Sequence, residues 1–179
     1  GAAIRKQLRI GDNEHFLVAS AGGGKVGGEL LRSVLEAHAH MSRKIHLHVF
    51  TGPYLDDEVF EDLTCRENQT VKVFRFTPDF LAFLSAADLS ISMAGYNTCM
   101  NILVTQVPAL VWPFPQNREQ GLRAMKLADL GWMQVLEEPE LEPVRLADLI
   151  ERRLVQPLRP KRTVDLNGAA RTAEWLVST

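Results

Sequence analysis

A chain of 179 residues, 46% apolar and 23% charged, is long enough for one well-buried core and has the composition of an ordinary globular domain. Its net charge of -2 gives no global attraction to nucleic acid or anionic membrane, which excludes a binder of either that works by bulk charge. Cys65 and Cys99 form no CxxC pair and suggest neither a disulfide framework nor a zinc site, and no apolar run reaches the roughly 18 residues of a membrane span.

Residues 1–14 carry no initiator Met and run from Gly1-Ala2-Ala3 through a short basic segment, Arg5 to Arg9. They read as a linker cut from a longer chain. The two separated cysteines make a reducing cytoplasm the expected compartment, and no signal-peptide pattern is visible. The apolar run 15–21 stops at glycines, as a buried strand does. A helix over 27–39 follows, with Leu30, Leu31, Val34 and Leu35 at helical spacing. Strands are expected at 44–51, 71–76, 89–93 and 109–112, with a short sixth at 134–136. The helices between them fall at 59–63, 80–86, 97–104 and 119–130, and a further one at 141–154. Asp79 is placed to cap the helix at 80, and Gly131 to end the one before it. Residues 156–162 are basic and proline-rich and read as an exposed crossing before a last helix at 168–177. Strand and helix alternate with short connections, which means right-handed crossovers. The expected fold is α/β, a Rossmann-like parallel sheet with helices on both faces. Residues 15–155 form the ligand-binding domain, and 156–179 a crossing segment and C-terminal helix.

Three turns gather polar residues where strands hand over to helices, the edge at which open α/β sheets bind ligands. The first is Gly22-Gly23-Gly24-Lys25-Val26-Gly27-Gly28. Its letters satisfy G-x-G-x-x-G, yet the second strand closes with Phe50-Thr51-Gly52 and lacks the carboxylate that holds a dinucleotide ribose. Val26 follows Lys25 where a P-loop needs Ser or Thr. A diphosphate is the expected ligand, and a bare tight turn the alternative. The second turn, Ser92 to Asn101, starts a helix near Asn97 and Thr98 behind Gly95, with Asn101 one turn further in reach of a ribose or phosphate. The alternative is that Asn97 or Thr98 merely caps that helix. The third is Pro113 to Gln120, where Glu119 and Gln120 open a helix: either they bind sugar hydroxyls or Glu119 is a first-turn stabiliser. His46 and His48 lack a third ligand for a metal. Asp56-Asp57-Glu58 reads as a helix start, the basic run Arg152 to Arg162 as a solvated surface, and no G-x-S-x-G elbow is present.

With these residues together, residues 16–154 resemble the C-terminal domain of glycosyltransferase family 28, the second half of a GT-B fold. That group includes the bacterial transferase adding N-acetylglucosamine to the lipid-linked peptidoglycan precursor. The turn Ser92, Gly95, Tyr96, Asn97, Thr98 matches a Ser-x-x-Gly-Tyr-Asn-Thr pattern found among predicted members. The resemblance implies that the chain binds a nucleoside diphosphate sugar, a UDP-sugar first. Gly22, Gly23 and Gly24 would line the diphosphate, Phe76 and Thr77 would face the uracil with Phe80 beside it, Gly95 and Thr98 would approach the phosphates, and Glu119 and Gln120 would hold the sugar. It also implies metal-independent inverting transfer without a cofactor, and an N-terminal domain that holds the acceptor, supplies the base and any membrane association. The family's glutamate on the ribose is replaced by Asn101, which loses a charge-assisted contact. Alternatives are a stand-alone donor subunit of a split transferase, a module binding NAD or an adenine nucleotide, and a nucleotide-sugar 2-epimerase.

Overall fold

A computed structural model describes residues 1–23 and 25–178. Six parallel strands form one sheet: β1 (His15–Ser20), β2 (Ile45–Phe50), β3 (Val71–Phe74), β4 (Leu89–Met93), β5 (Ala109–Trp112) and β6 (Gln134–Val135), in the order β3-β2-β1-β4-β5-β6. Helices α1 (Ala2–Leu8), α2 (Gly28–His40), α3 (Asp57–Thr64), α4 (Phe80–Ala86), α5 (Tyr96–Thr105), α6 (Arg118–Asp129), α7 (Pro143–Val155) and α8 (Gly168–Ser178) complete the chain, with a 3-10 turn at Glu138–Leu141 before α7.

The central strands are apolar on both faces because both are covered. On β1, Leu17 and Ala19 point into a core shared with α2, α3 and α7, while Phe16 and Val18 point into a second core under α1, α4, α5 and α6. Parallel pairing of Leu17 with Leu47 on one side and with Leu89 on the other fixes the register at the centre. Because β1 and β4 are neighbours whose following helices lie on opposite faces, a crevice opens between their carboxyl ends.

Residues 2–8, read as linker, form α1, which buries no residue fully and is held instead by a distant partner. Arg5 donates to Asp88 Oδ2 at 3.1 Å, to Ala86 O at 3.2 Å and to Glu14 O at 2.6 Å, and Asp88 Oδ2 also accepts from Phe16 N at 2.7 Å. Strand β3 ends at Phe74 rather than residue 76, because β3 is an edge strand and Phe76 swings out to 70% exposure. The end signal at Gly131 acts as expected. Gly131 adopts φ +82, with Gly131 N donating to Ala128 O and Trp132 N to Leu127 O, which closes α6. Residues 159–162 are exposed, as read from the sequence, and two hydrogen bonds tie them down: Lys161 N donates to Leu130 O, and Trp132 Nε1 to Arg162 O.

Candidate functional site

A cleft of about 370 Å³ runs along the carboxyl edge of the sheet from β3 to β4. The exit of β1 contributes Ser20, Gly22 and Gly23, and that of β2 contributes Phe50, Gly52 and Pro53. The β3–α4 connection brings Arg75, Phe76, Thr77 and Phe80, and the start of α5 brings Asn97, Thr98 and Asn101. The cleft has two chemically different ends. At β3 the walls are aromatic: Phe50 stacks on Phe74 with centroids 5.5 Å apart and meets the edge of Phe80 at 5.4 Å. At β4 the walls are glycine backbone, amides and a hydroxyl.

The polar end is built around α5. Its N-cap is Gly95, which offers no side chain, so the first-turn N–H groups are uncapped and carry the positive end of the helix dipole. Neither Asn97 nor Thr98 caps the helix. A Cβ added at Gly22 would stand 3.8 Å from Thr98 Oγ1, and one added at Gly95 3.7 Å from it, so the buried Thr98 hydroxyl lies between two side-chain-free turns. Gly22 needs its glycine for φ +77, whereas Gly23 has open space around it. Ser20, 3% exposed at the cleft floor, has no hydrogen-bond partner for its Oγ among the described residues, a cost unless something in the cleft meets it.

Thus Gly22, Gly23, Phe76, Thr77, Phe80, Asn97, Thr98 and Asn101 come together, and Gly95 borders them. Gly24 lies outside the described residues. Gly27, the last glycine of the G-x-G-x-x-G letters, is buried, and a Cβ there would meet Ala21 Cβ and Met93 Sδ at 2.7 Å, so its part is close packing of α2. Glu119 and Gln120 do not line the cleft. Glu119 is exposed, and Gln120 has a local duty the sequence did not reveal: its Oε1 accepts from Phe114 N at 3.0 Å, fixing the exit of β5. The capping side chain there is Asn117, which accepts from Gln120 N. Asp79 stands at the N-cap of α4 without a side-chain cap bond; its N–H donates instead to Thr77 Oγ1 at 3.2 Å. The residues missed by sequence reasoning are Ser20, Phe50, Gly52, Pro53 and Arg75. Only Gly52-Pro53, a strand-ending pair, carried a local signal.

Other clusters have structural explanations. Lys44 pairs with Glu14, Gly11 N–H donates to it, and His46 Nε2 bonds its Oε2 at 2.9 Å; in that order these contacts hold the Glu14 carboxyl down at about 2. His48 sits among Phe16, Phe74 and Phe83. Among the described residues no three His, Cys, Asp or Glu side chains gather as metal ligands, and no helix is long and apolar enough to cross a membrane. A wider but shallow depression of about 700 Å³ lies at the opposite end of β2, between Ser42 and α7. There Glu151 is spent accepting from Ser42 N, Ser42 Oγ and Arg43 N, so we assign it no ligand role.

The family model of the glycosyltransferase family 28 C-terminal domain matches residues 21–174. The chain belongs to that family. An uncharacterized glycosyltransferase of Methanopyrus kandleri is 24% identical over 177 residues, which span 99% of this chain and 49% of the relative. The UDP-N-acetylglucosamine--N-acetylmuramyl-(pentapeptide) pyrophosphoryl-undecaprenol N-acetylglucosamine transferase of Haemophilus influenzae strain 86-028NP is 28% identical over 174 residues, covering 93% of this chain and 49% of the transferase. The crystal structure of Acinetobacter baumannii MurG superposes with a TM-score of 0.75 at 21% identity, covering 98% of this chain and 53% of that one. The family 28 domain described here is therefore a GT-B half, and it spans about half the length of these relatives.

Proposed function

We propose that the cleft binds the nucleoside diphosphate of a sugar donor, with uridine as the nucleoside, and that the domain is the donor half of an inverting glycosyltransferase. The observation that carries this reading is the polarity of the cleft. An aromatic end suits a nucleobase, and an uncapped helix start with a buried hydroxyl between two glycines suits a diphosphate. A volume of about 370 Å³ is in the usual range for small-ligand sites. Phe76 and Thr77 would face the base, with Phe80 beside it. Gly22, Gly23, Gly95, Thr98 and the first N–H groups of α5, near Asn97, would hold the phosphates, and Asn101 would bond a ribose hydroxyl. Gln120 is bonded to the exit of β5 at Phe114 N, and it and Glu119 beside it in the chain would meet the sugar, Glu119 through its carboxylate and Gln120 through its amide N–H2.

In the reaction, an acceptor hydroxyl attacks the anomeric carbon from the face opposite the diphosphate. The bond from that carbon to the phosphate oxygen breaks, and the oxygen keeps the electron pair. Backbone N–H groups and the helix dipole stabilise the charge that develops on the leaving diphosphate, so no metal is required. A general base takes the acceptor proton. That base and the acceptor site would come from a further domain, matching the part of the relatives this chain does not span.

Calorimetry of this chain with UDP, UDP-N-acetylglucosamine, GDP, dTDP and NAD, with and without chelator, tests the reading. We expect saturable UDP binding at roughly 0.1–1 mM, insensitive to chelator. Gly23→Asp should abolish it without unfolding the domain, since the added side chain enters open cleft space. Binding of NAD alone would refute the proposal.

A further inference from the structure

Arg75 lines the cleft beside Phe76, yet its guanidinium is already engaged by three partners outside the glycine turns. Nη1 donates to Leu55 O at 3.0 Å, Nη2 pairs with the Asp57 carboxylate, and the planar group lies over the Phe60 ring with 4.0 Å to the centroid. These contacts tie the last residue before the base-facing segment to the loop 51–56 and to the first turn of α3. That loop in turn supports the phosphate-facing turn. Gly52 has φ +82, and a Cβ on it would stand 1.9 Å from Gly22 O, so the two backbones are in direct contact. Leu55 is buried, within reach of the start of α2 beside Gly28. The second half of the tie is at the strand ends, where Thr51 N donates to Phe74 O at 2.9 Å.

We propose that Arg75 is a positioning residue: it clamps the β2–α3 loop to the exit of β3 and thereby sets the spacing between the base-facing and phosphate-facing ends of the cleft. This rests on the nucleotide reading above for its ligand, though not for its mechanics. With its guanidinium directed at Leu55 O, Asp57 and the Phe60 ring, Arg75 takes a positioning part rather than that of a phosphate-binding cation. A planar fork serving a carbonyl, a carboxylate and an aromatic face at once is a task lysine cannot perform. The sequence offers no local sign of it, since Arg75 and Asp57 are brought together by the pairing of β2 with β3.

Two measurements on this chain decide the matter: UDP affinity by calorimetry, and amide hydrogen exchange of residues 51–56 without ligand. The variants are Arg75→Lys, Asp57→Ala, their combination, and Asp57→Glu. Asp57 is largely exposed and outside the cleft, so its loss has no direct route to a ligand. We expect Arg75→Lys and Asp57→Ala each to weaken UDP binding about threefold to tenfold. The combination should do little worse than either, Asp57→Glu should recover much of the affinity, and exchange of 51–56 should rise in the first three. If Arg75→Lys weakens UDP while Asp57→Ala leaves it unchanged or tightens it, Arg75 contacts the ligand and the clamp is wrong. Unchanged exchange in all variants overturns it as well. If the unaltered chain binds no nucleotide, the donor reading fails separately, and exchange alone judges the clamp. Circular dichroism and melting of each variant confirm that the fold is retained.

Discussion

Lowering the pH should destabilise this domain through His48 before its carboxylates respond. His48 is 6% exposed, with ring centroids of Phe16, Phe74 and Phe83 at 5.1, 5.3 and 5.6 Å, and among the described residues its Nδ1 has no hydrogen-bond partner. Burial first, then the nearby charges of His46 and Lys72, lower its pKa from 6.5 to about 4, with Glu67 opposing weakly. The folded state therefore resists a proton that the unfolded chain accepts below about pH 6.5. Stability is full above that value and is lost as pH falls toward 4. From about pH 7.5 to about pH 5 the linkage is worth about 2 kcal/mol, or about 4–8 °C in melting temperature for a chain of this size. Thermal unfolding of the parent and of His48→Leu across this range measures it. The variant removes the titrating ring and the unpaired Nδ1 while keeping an apolar filling, so its melting temperature should fall much less. Asp62, Glu142 and Glu151 also have lowered pKa values from their hydrogen bonds, but their contribution is lost only at lower pH. Equal losses in parent and variant would refute the assignment.

Gly52→Ala combines a positive φ with a Cβ 1.9 Å from Gly22 O, and should cost more than about 2 kcal/mol in urea unfolding while also impairing nucleotide binding. Thr98→Val keeps the volume and removes the hydroxyl between Gly22 and Gly95; UDP affinity should fall about tenfold with melting little changed, and equal affinity would exclude the hydroxyl from the site. Arg5→Ala leaves Asp88 without its guanidinium partner and α1 without its tether. We expect a loss of about 1–3 kcal/mol and rapid proteolysis confined to residues 1–14, read by mass spectrometry of the fragments.

Strands β1, β2, β4 and β5 were legible because nearly all their positions are buried, so apolar runs such as Phe16-Leu17-Val18-Ala19 stand out without any partner being known. The glycine turns were legible because positive φ at Gly22 and Gly131 leaves a residue-type signal. What stayed hidden depends on distant pairing. Helix α1 has no buried residue to set a period, and its anchor Asp88 is far along the chain. Gln120 showed no capping signal because its side chain reaches back to Phe114 N, a contact created by the bend after β5. Ser20 and Arg75 looked like ordinary strand-end residues. Only the order of the sheet turns one into a cleft floor and the other into a wall.

The central pairing of β1 with β4 has a kinetic consequence. It joins Leu17 to Leu89 and Ser20 to Ser92, so the chain must close a long loop containing three crossovers, through α2, α3 and α4, before those strands meet. Contacts of such sequence separation form slowly. The crevice between Gly22 and α5 exists only once that closure is complete, whereas helices α2 and α3 and the β2–β3 pair can form earlier from local contacts. In refolding from urea, nucleotide binding should appear with the slowest phase and after most helical signal has returned. Ligand capture is thus a clock for the closing of the sheet.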